Sequence, residues 1–325
     1  MMRRMIVGVL FGVLVYAGIV LWLDAGAIWE ALENFAWWIL PAACGLSFAN
    51  YALRFLKWER YRKLLNIELE LKTSFVIYLS GLSMGVTPGK MGEVFKSWLI
   101  KRVNGTPIHK SAPIVVAERI TDLFGFLILV GAGGLVSQPD YWPLFLATLV
   151  LCFLGAFLCG SPKAASFAIG IVSKLPKGER IAPKLEVAFE SARVLLAPKE
   201  IIFPTLLSAV SWGLECLAFL LIARNLAPEG AEISLAFCVF AYAISAVAGA
   251  IAIIAPGGLG VTEGLLGSLT RQAYEPSLMH LGAEAALVTA RTKAAGAVIL
   301  TRVATLWFGV AVGLVATAIF KRMKR

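Results

Sequence analysis

Charge is what this sequence has least of. Only 15% of its 325 residues are charged, against 59% hydrophobic, and its mean hydropathy is +0.81. Soluble domains carry about 25% charged and about 45–50% apolar residues, so both departures point to a polytopic membrane protein. Histidine is nearly missing too. His109 and His280 lie in loop-like surroundings, and two isolated imidazoles give no basis for a histidine-built metal or catalytic cluster. The five cysteines (Cys44, Cys152, Cys159, Cys216, Cys238) sit in apolar runs with no CxxC pair. They read as small hydrophobes rather than as disulfides or ligands. No GxxxxGK[ST] phosphate loop occurs, so no ATP site is expected, and no cofactor is implied. The longest polar stretch, residues 163–200, is too short for an ordinary independent soluble domain.

What the chain does carry is an excess of positive charge, +10 in all. In a soluble protein this would point to nucleic acid. Here the lysines and arginines cluster between apolar spans, as expected of cytoplasmic loops, and nucleic acid is not an expected partner. Attraction to anionic lipid head groups is compatible with the same pattern.

Residues 5–23, behind Arg3 and Arg4, read as an uncleaved first span in preference to a signal peptide. Trp29, Trp37 and Trp38 suit an interfacial belt. Residues 35–55 form a second span, ending in a basic loop of Arg54, Lys57, Arg60, Arg62 and Lys63. Further spans are expected at 112–136, 141–160, 201–223 (with Glu215 at mid-depth) and 295–320 (with Arg302 inside it). Residues 163–200 read as a cytoplasmic linker broken by Pro162, Pro176, Pro183 and Pro198, with one amphipathic helix near 183–196. Both termini are expected on the cytoplasmic side of the inner membrane, the C-terminal one from its basic ending.

Two stretches break this pattern. Residues 74–86 make only half of the roughly 20-residue crossing, then Pro88, Gly89, Lys90, Gly92 and Glu93 interrupt, and a short apolar piece follows at 94–100. Residues 233–255 run in the same way into Pro256, Gly257, Gly258 and Gly260, with Glu263 and a short apolar piece behind. Both breaks read P-G-x-x-G with a trailing carboxylate. Each is followed by a span with an arginine near its start (Arg119, Arg302) and preceded by a span ending in one (Arg54, Arg224). Read as re-entrant hairpins entering from opposite sides, they make the chain all-α, with about six full transmembrane helices and two broken-helix hairpins in an inverted repeat. Repeat A covers about 35–136, the linker about 161–200 and repeat B about 201–320. Inverted repeats with broken helices are a transporter architecture with its site between the repeats, and helix ends at the breaks offer free N–H groups to an anion.

Ionisable groups inside a membrane segment are costly and therefore point to function. Arg119 and Arg302 are the first candidates for gripping a lipid phosphate; the alternative is structural pairing, of Arg119 with Glu118 or Asp122 and of Arg302 with Glu263. Glu93 and Glu263 could pair with those arginines, hold the hairpins or take up a proton. Lys90 and Lys96 read equally as head-group contacts and as solvated anchors. Thr87 and Thr262 are candidate caps.

Three pieces in order, TPGKMGEVFKSWLIKR, ERITDLFGFLIL and APGGLGVTEGLLGSL, resemble a flippase-like membrane family that includes the transmembrane region of lysylphosphatidylglycerol synthases. The resemblance covers about residues 31–314. It implies translocation of a lipid with a charged head group. In those synthases a soluble aminoacyl-transferase domain follows; this sequence stops at Arg325, so aminoacylation is not expected of it. The leading expectation is a flippase for an anionic phospholipid or polyprenyl-phosphate-linked lipid. A membrane-embedded enzyme acting on lipid phosphate, or a non-catalytic membrane partner of a separate lipid-synthesis enzyme, are the alternatives.

Overall fold

The computed structural model describes residues 26, 29, 32–87, 94–135, 138–174, 176, 178–252 and 256–323. The expected first span at 5–23 and the break from Pro88 to Glu93 lie outside the described residues. Within them the chain is all α-helical, without a strand. The helices are α1 (Ile39–Leu64), α2 (Leu71–Leu82), α3 (Phe95–Asn104), α4 (Ile108–Ser111), α5 (Pro113–Ala132), α6 (Trp142–Gly160), α7 (Pro162–Ser173), α8 (Gly178–Leu195), α9 (Pro198–Leu226), α10 (Leu235–Ile251), α11 (Val261–Tyr274), α12 (Ala283–Arg302) and α13 (Phe308–Met323). A π-helical turn at Val303–Trp307 joins the last two, so one helical run continues from 283 to 323 for 41 residues.

Four of these runs are long and apolar enough to cross a bilayer: Ile39–Leu64, Pro139–Gly160, Pro198–Leu226 and Ala283–Met323. Helix α5 has the length of a crossing, 20 residues, but carries Glu118, Arg119 and Asp122. Helices α2 and α3, 12 and 10 residues long, flank the first break and pack on each other. Helix α6 turns Val150, Phe153 and Phe157 outward, more than 60% exposed each. Such a face is stable only where the surrounding medium is itself apolar, as lipid is.

Lipid removes most of the hydrophobic drive for helix association, so close backbone approach and polar contacts hold the interior together. Helices α1 and α9 lie along one another, with Asn50 Nδ2 donating to the Ser211 carbonyl at 2.8 Å. From the first half, α5 crosses onto α9 and α10; from the second half, α13 crosses onto α2. Glycine makes both crossings possible. A Cβ on Gly125 would stand 2.8 Å from Ser208 Cβ, and one on Gly313 would collide with the Ser83 backbone. Each half thus lends one helix to the other.

Three sequence expectations need correction. The second span does not end at Phe55: α1 runs on to Leu64, and the supposed basic loop is its last turns. Arg54 and Lys57 are 7% and 0% exposed, because their i, i+3 spacing turns both toward Asp122 rather than toward water. The stretch 163–200 holds the helix expected near 183–196, as α8, and a second one, α7, that was not expected. Pro162 and Pro198 sit in the first turns of α7 and α9, where a missing N–H costs nothing, and Pro183 is accommodated inside α8. Helix α8 packs on α4, α5 and α6, burying Ala192 and Leu195. Arg302 is not near the start of a span but midway along the 41-residue run, directly before the π turn.

Candidate functional site

Helix α5 sets the first pole of the site. Asp122 and Glu118, one turn apart, both face inward at 2% and 1% exposure. An isolated carboxylate there would be expensive, so each has acquired a cation. Asp122 receives Arg54 at 3.0 Å and Lys57 at 2.5 Å, from one face of α1. Ser208 Oγ, from α9, donates to Asp122 Oδ1 at 3.0 Å and accepts from Lys57 Nζ at 2.8 Å. Arg119 stands 3.7 Å from the same carboxylate and keeps 28% of its side chain exposed. Three cations thus meet at one carboxylate. The Arg54 guanidinium also lies 4.7 Å over the Trp212 ring.

Glu118 serves a different lysine. Lys96, from α3, reaches Glu118 Oε2 at 2.5 Å, and its ammonium lies 4.7 Å from the Trp58 ring and 5.5 Å from Tyr78. Its stem crosses Gly81 of α2, where a Cβ would stand 2.7 Å from Lys96 Cγ and Cδ. Of the two alternatives for Lys96, the solvated anchor is corrected: Lys96 is 5% exposed, pins α3 to α2 and α5, and lines the cavity described below.

The second pole is built on the Pro256 break. Pro256 opens a short 3-10 turn, and Gly257, Gly258 and Gly260 all take positive φ, at 63°, 73° and 87°. That backbone suits glycine and strains any residue with a Cβ. It aims the Gly257 carbonyl at Arg302, whose Nη2 donates to it at 3.1 Å. Arg302 Nε donates to Glu263 Oε1 at 2.7 Å, and Glu263 Oε2 accepts from the Gly260 N–H at 2.7 Å, capping α11. The side-chain cap thus comes from Glu263, not from the expected Thr262. The π turn after Arg302 is an irregularity of the kind often found at functional sites; its Thr305 carbonyl accepts from Tyr51 Oη at 2.6 Å.

The Pro256 turn approaches the end of the stretch that leads into the first break. A Cβ on Gly257 would stand 3.2 Å from the Gly85 carbonyl and 3.4 Å from Val86 Cα. Thr87 Oγ1 turns back to donate to Met84 O at 2.7 Å. Pro88, Gly89, Lys90, Gly92 and Glu93 themselves lie outside the described residues.

Between the poles lies a partly open cavity of about 770 Å³, in the size range of a ligand site, about 300–1,000 Å³. Arg54, Arg119 and Arg302 line it from three helices, together with Asp122, Glu215 and Gly257. Most of the remaining wall is apolar, and α8 contributes Leu185, Ala188 and Phe189. Of the candidates from the sequence, Lys96, Arg119, Asp122, Gly257, Thr262 and Arg302 reach this lining. Glu118 and Glu263 stand behind it and position cations, while Pro256, Gly258 and Gly260 shape the turn. Sequence reasoning missed Arg54, Lys57 and Ser208 around Asp122, and Tyr242, whose hydroxyl donates to Glu215 at 2.5 Å. Arg54, Lys57 and Tyr61, at i, i+3 and i+7, share a helical face; that spacing was the available signal.

Long apolar helices around a partly open cavity lined by paired charges define a multi-pass α-helical membrane protein. The family profile of the lysylphosphatidylglycerol synthase TM region matches residues 9–313, and the chain belongs to that family. No curated protein matches it.

Proposed function

We propose that the chain moves a lipid with an anionic head group, a phospholipid or a polyprenyl-phosphate-linked lipid, between the leaflets of the inner membrane. The observation that carries this reading is the cavity itself: three arginines from α1, α5 and α12 converge on one space whose other walls are mostly apolar. That combination matches an amphiphile, with phosphate at the cations and acyl or prenyl chain along the oily wall. A guanidinium stays charged when buried and grips phosphate through two parallel N–H donors. Asp122 and Glu263 hold these arginines in the empty cavity and exchange them to the lipid when it enters.

The two breaks act as re-entrant hairpins of an inverted repeat, with both termini cytoplasmic. The crossed packing of α5 and α13 and the approach of Gly257 to Gly85 support this. In such an arrangement the site lies near mid-membrane, and rocking of one half against the other alternates its access. The sequence holds no nucleotide-binding loop, so transport is passive or ion-coupled. A separate lipid-synthesis enzyme would supply or consume the lipid.

The test is translocation of labelled phosphatidylglycerol in liposomes containing the inserted protein. Acceleration over empty liposomes, reduced at least tenfold in Arg302→Ala, is expected. No acceleration with any of several anionic lipids would defeat the reading. Turnover of the lipid phosphate instead of its movement would replace it with an enzymatic one, and copurification of a soluble transferase without transport would replace it with a scaffold.

A further inference from the structure

Glu215 is a charged-type residue in the cavity wall that the reading above leaves without a task. It lies midway along α9, 4% exposed. Tyr242 Oη, from α10, donates to its Oε2 at 2.5 Å. No ion pair reaches it among the described residues, whereas Asp122, Glu118 and Glu263 each hold a cation at 2.7 Å or less. The groups facing it are Tyr51 and Arg54 from α1, Asp122 from α5, Tyr242 from α10 and Arg302 from α12, with Cys216 beside it on α9. Both arginines already contact other carboxylates, Arg54 at 3.0 Å and Arg302 at 2.7 Å. Glu215 is thus the described cavity-lining carboxylate held by a neutral hydroxyl instead of a cation.

A carboxylate so placed can shed the cost of its charge only by taking a proton. We propose that Glu215 is a proton-binding site of the cavity and that its proton crosses together with the anionic lipid. This rests on the transport reading above. The chemistry is a simple protonation: the carboxylate accepts one proton from the aqueous phase on one side, becomes a neutral carboxyl hydrogen-bonded to Tyr242, and releases that proton on the other side. Entry of a phosphate brings one negative charge into the same cavity. Like charges in one site disfavour each other, so the proton makes room for the phosphate, and one proton with one monoanionic lipid moves no net charge. An ammonium group is the other ligand a carboxylate attracts. Arg54, Arg119 and Arg302 in the same wall oppose a second cation, whereas a proton sits on the oxygen itself and needs no space.

Two measurements test this separately. The first is an infrared pH titration of purified protein in ether-linked lipids, which have no ester carbonyl. A protonated-carboxyl stretch should grow as pH falls. It should be missing in Glu215→Gln and displaced in frequency in Tyr242→Phe, which keeps the carboxyl and guards against a folding defect in the first variant. A band unchanged in both variants, or no band at all, overturns the proton site whether or not lipid moves. The second is phosphatidylglycerol translocation under an imposed pH gradient. Wild type should respond at least tenfold and Glu215→Gln not at all. An equal response in both overturns the coupling. Absence of translocation with the band intact sinks the transport reading and the coupling, but leaves the proton site standing.

Discussion

Replacing Asp122 by asparagine keeps the size and shape of the side chain and its contact with Ser208, but removes a negative charge that meets Arg54, Lys57 and Arg119. Lys57 is fully buried, so it cannot turn to water. Breaking a buried pair from one side costs about 3–5 kcal/mol, because the surviving charge stays uncompensated. A ceiling exists for the lysine share: from an ordinary pKa of about 10.4, giving up its proton at pH 7 costs about 4.6 kcal/mol. Arg54 has no such exit, since guanidinium does not deprotonate in proteins, but it retains the Trp212 ring. We therefore expect Asp122→Asn to lose about 3–5 kcal/mol, and Lys57→Met, which leaves Asp122 paired with Arg54 but takes a donor from Thr121 and Ser208, to lose about 1–3 kcal/mol. The double variant should lose at least about 1 kcal/mol less than the two together, because it removes both ends of one pair. Reversible unfolding in mixed micelles measures all three. Losses below about 1 kcal/mol in the single variants, or strict additivity in the double one, would refute the claim that Asp122 balances buried cations.

Two further outcomes follow from the same geometry. Gly313→Ala places a methyl group against the Ser83 backbone and should destabilise by about 1–3 kcal/mol as overpacking does, while Gly45→Ala, which meets only open space, should stay within about 0.5 kcal/mol in the same unfolding assay. Arg302→Lys keeps the charge but cannot span both Glu263 and the Gly257 carbonyl; translocation of phosphatidylglycerol should fall at least tenfold with expression and folding retained, and an unchanged rate would remove the fork from the account.

Much of the architecture was legible because membrane segments advertise themselves by length and apolarity. The half-length piece before Pro88 emerged as the 12-residue α2, and the Pro256 break as a glycine turn whose positive φ values are close to what P-G-G-x-G requires. The pairing of Arg302 with Glu263, one of the two alternatives for that arginine, is present at 2.7 Å. What escaped did so for one physical reason. A lysine or arginine near the end of an apolar run looks the same in sequence whether it meets water or a buried carboxylate. Composition places Arg54 and Lys57 in an aqueous loop and leaves Lys96 between water and a head group; their partners, Asp122 and Glu118, lie between 22 and 68 positions away. The second half of the cavity wall was hidden in the same way. The lysine-rich stretch around α8 reads as solvated until its other face, Leu185, Ala188 and Phe189, is seen to line the cavity.

The central claim is that the cavity holds an anionic head group against Arg119 and Arg302. Native mass spectrometry of the protein released from membranes containing both phosphatidylglycerol and phosphatidylethanolamine tests it most directly. The wild type should retain one anionic lipid, lost in both Arg119→Ala and Arg302→Ala. Equal retention of the zwitterionic lipid, or undiminished retention in both variants, would contradict it.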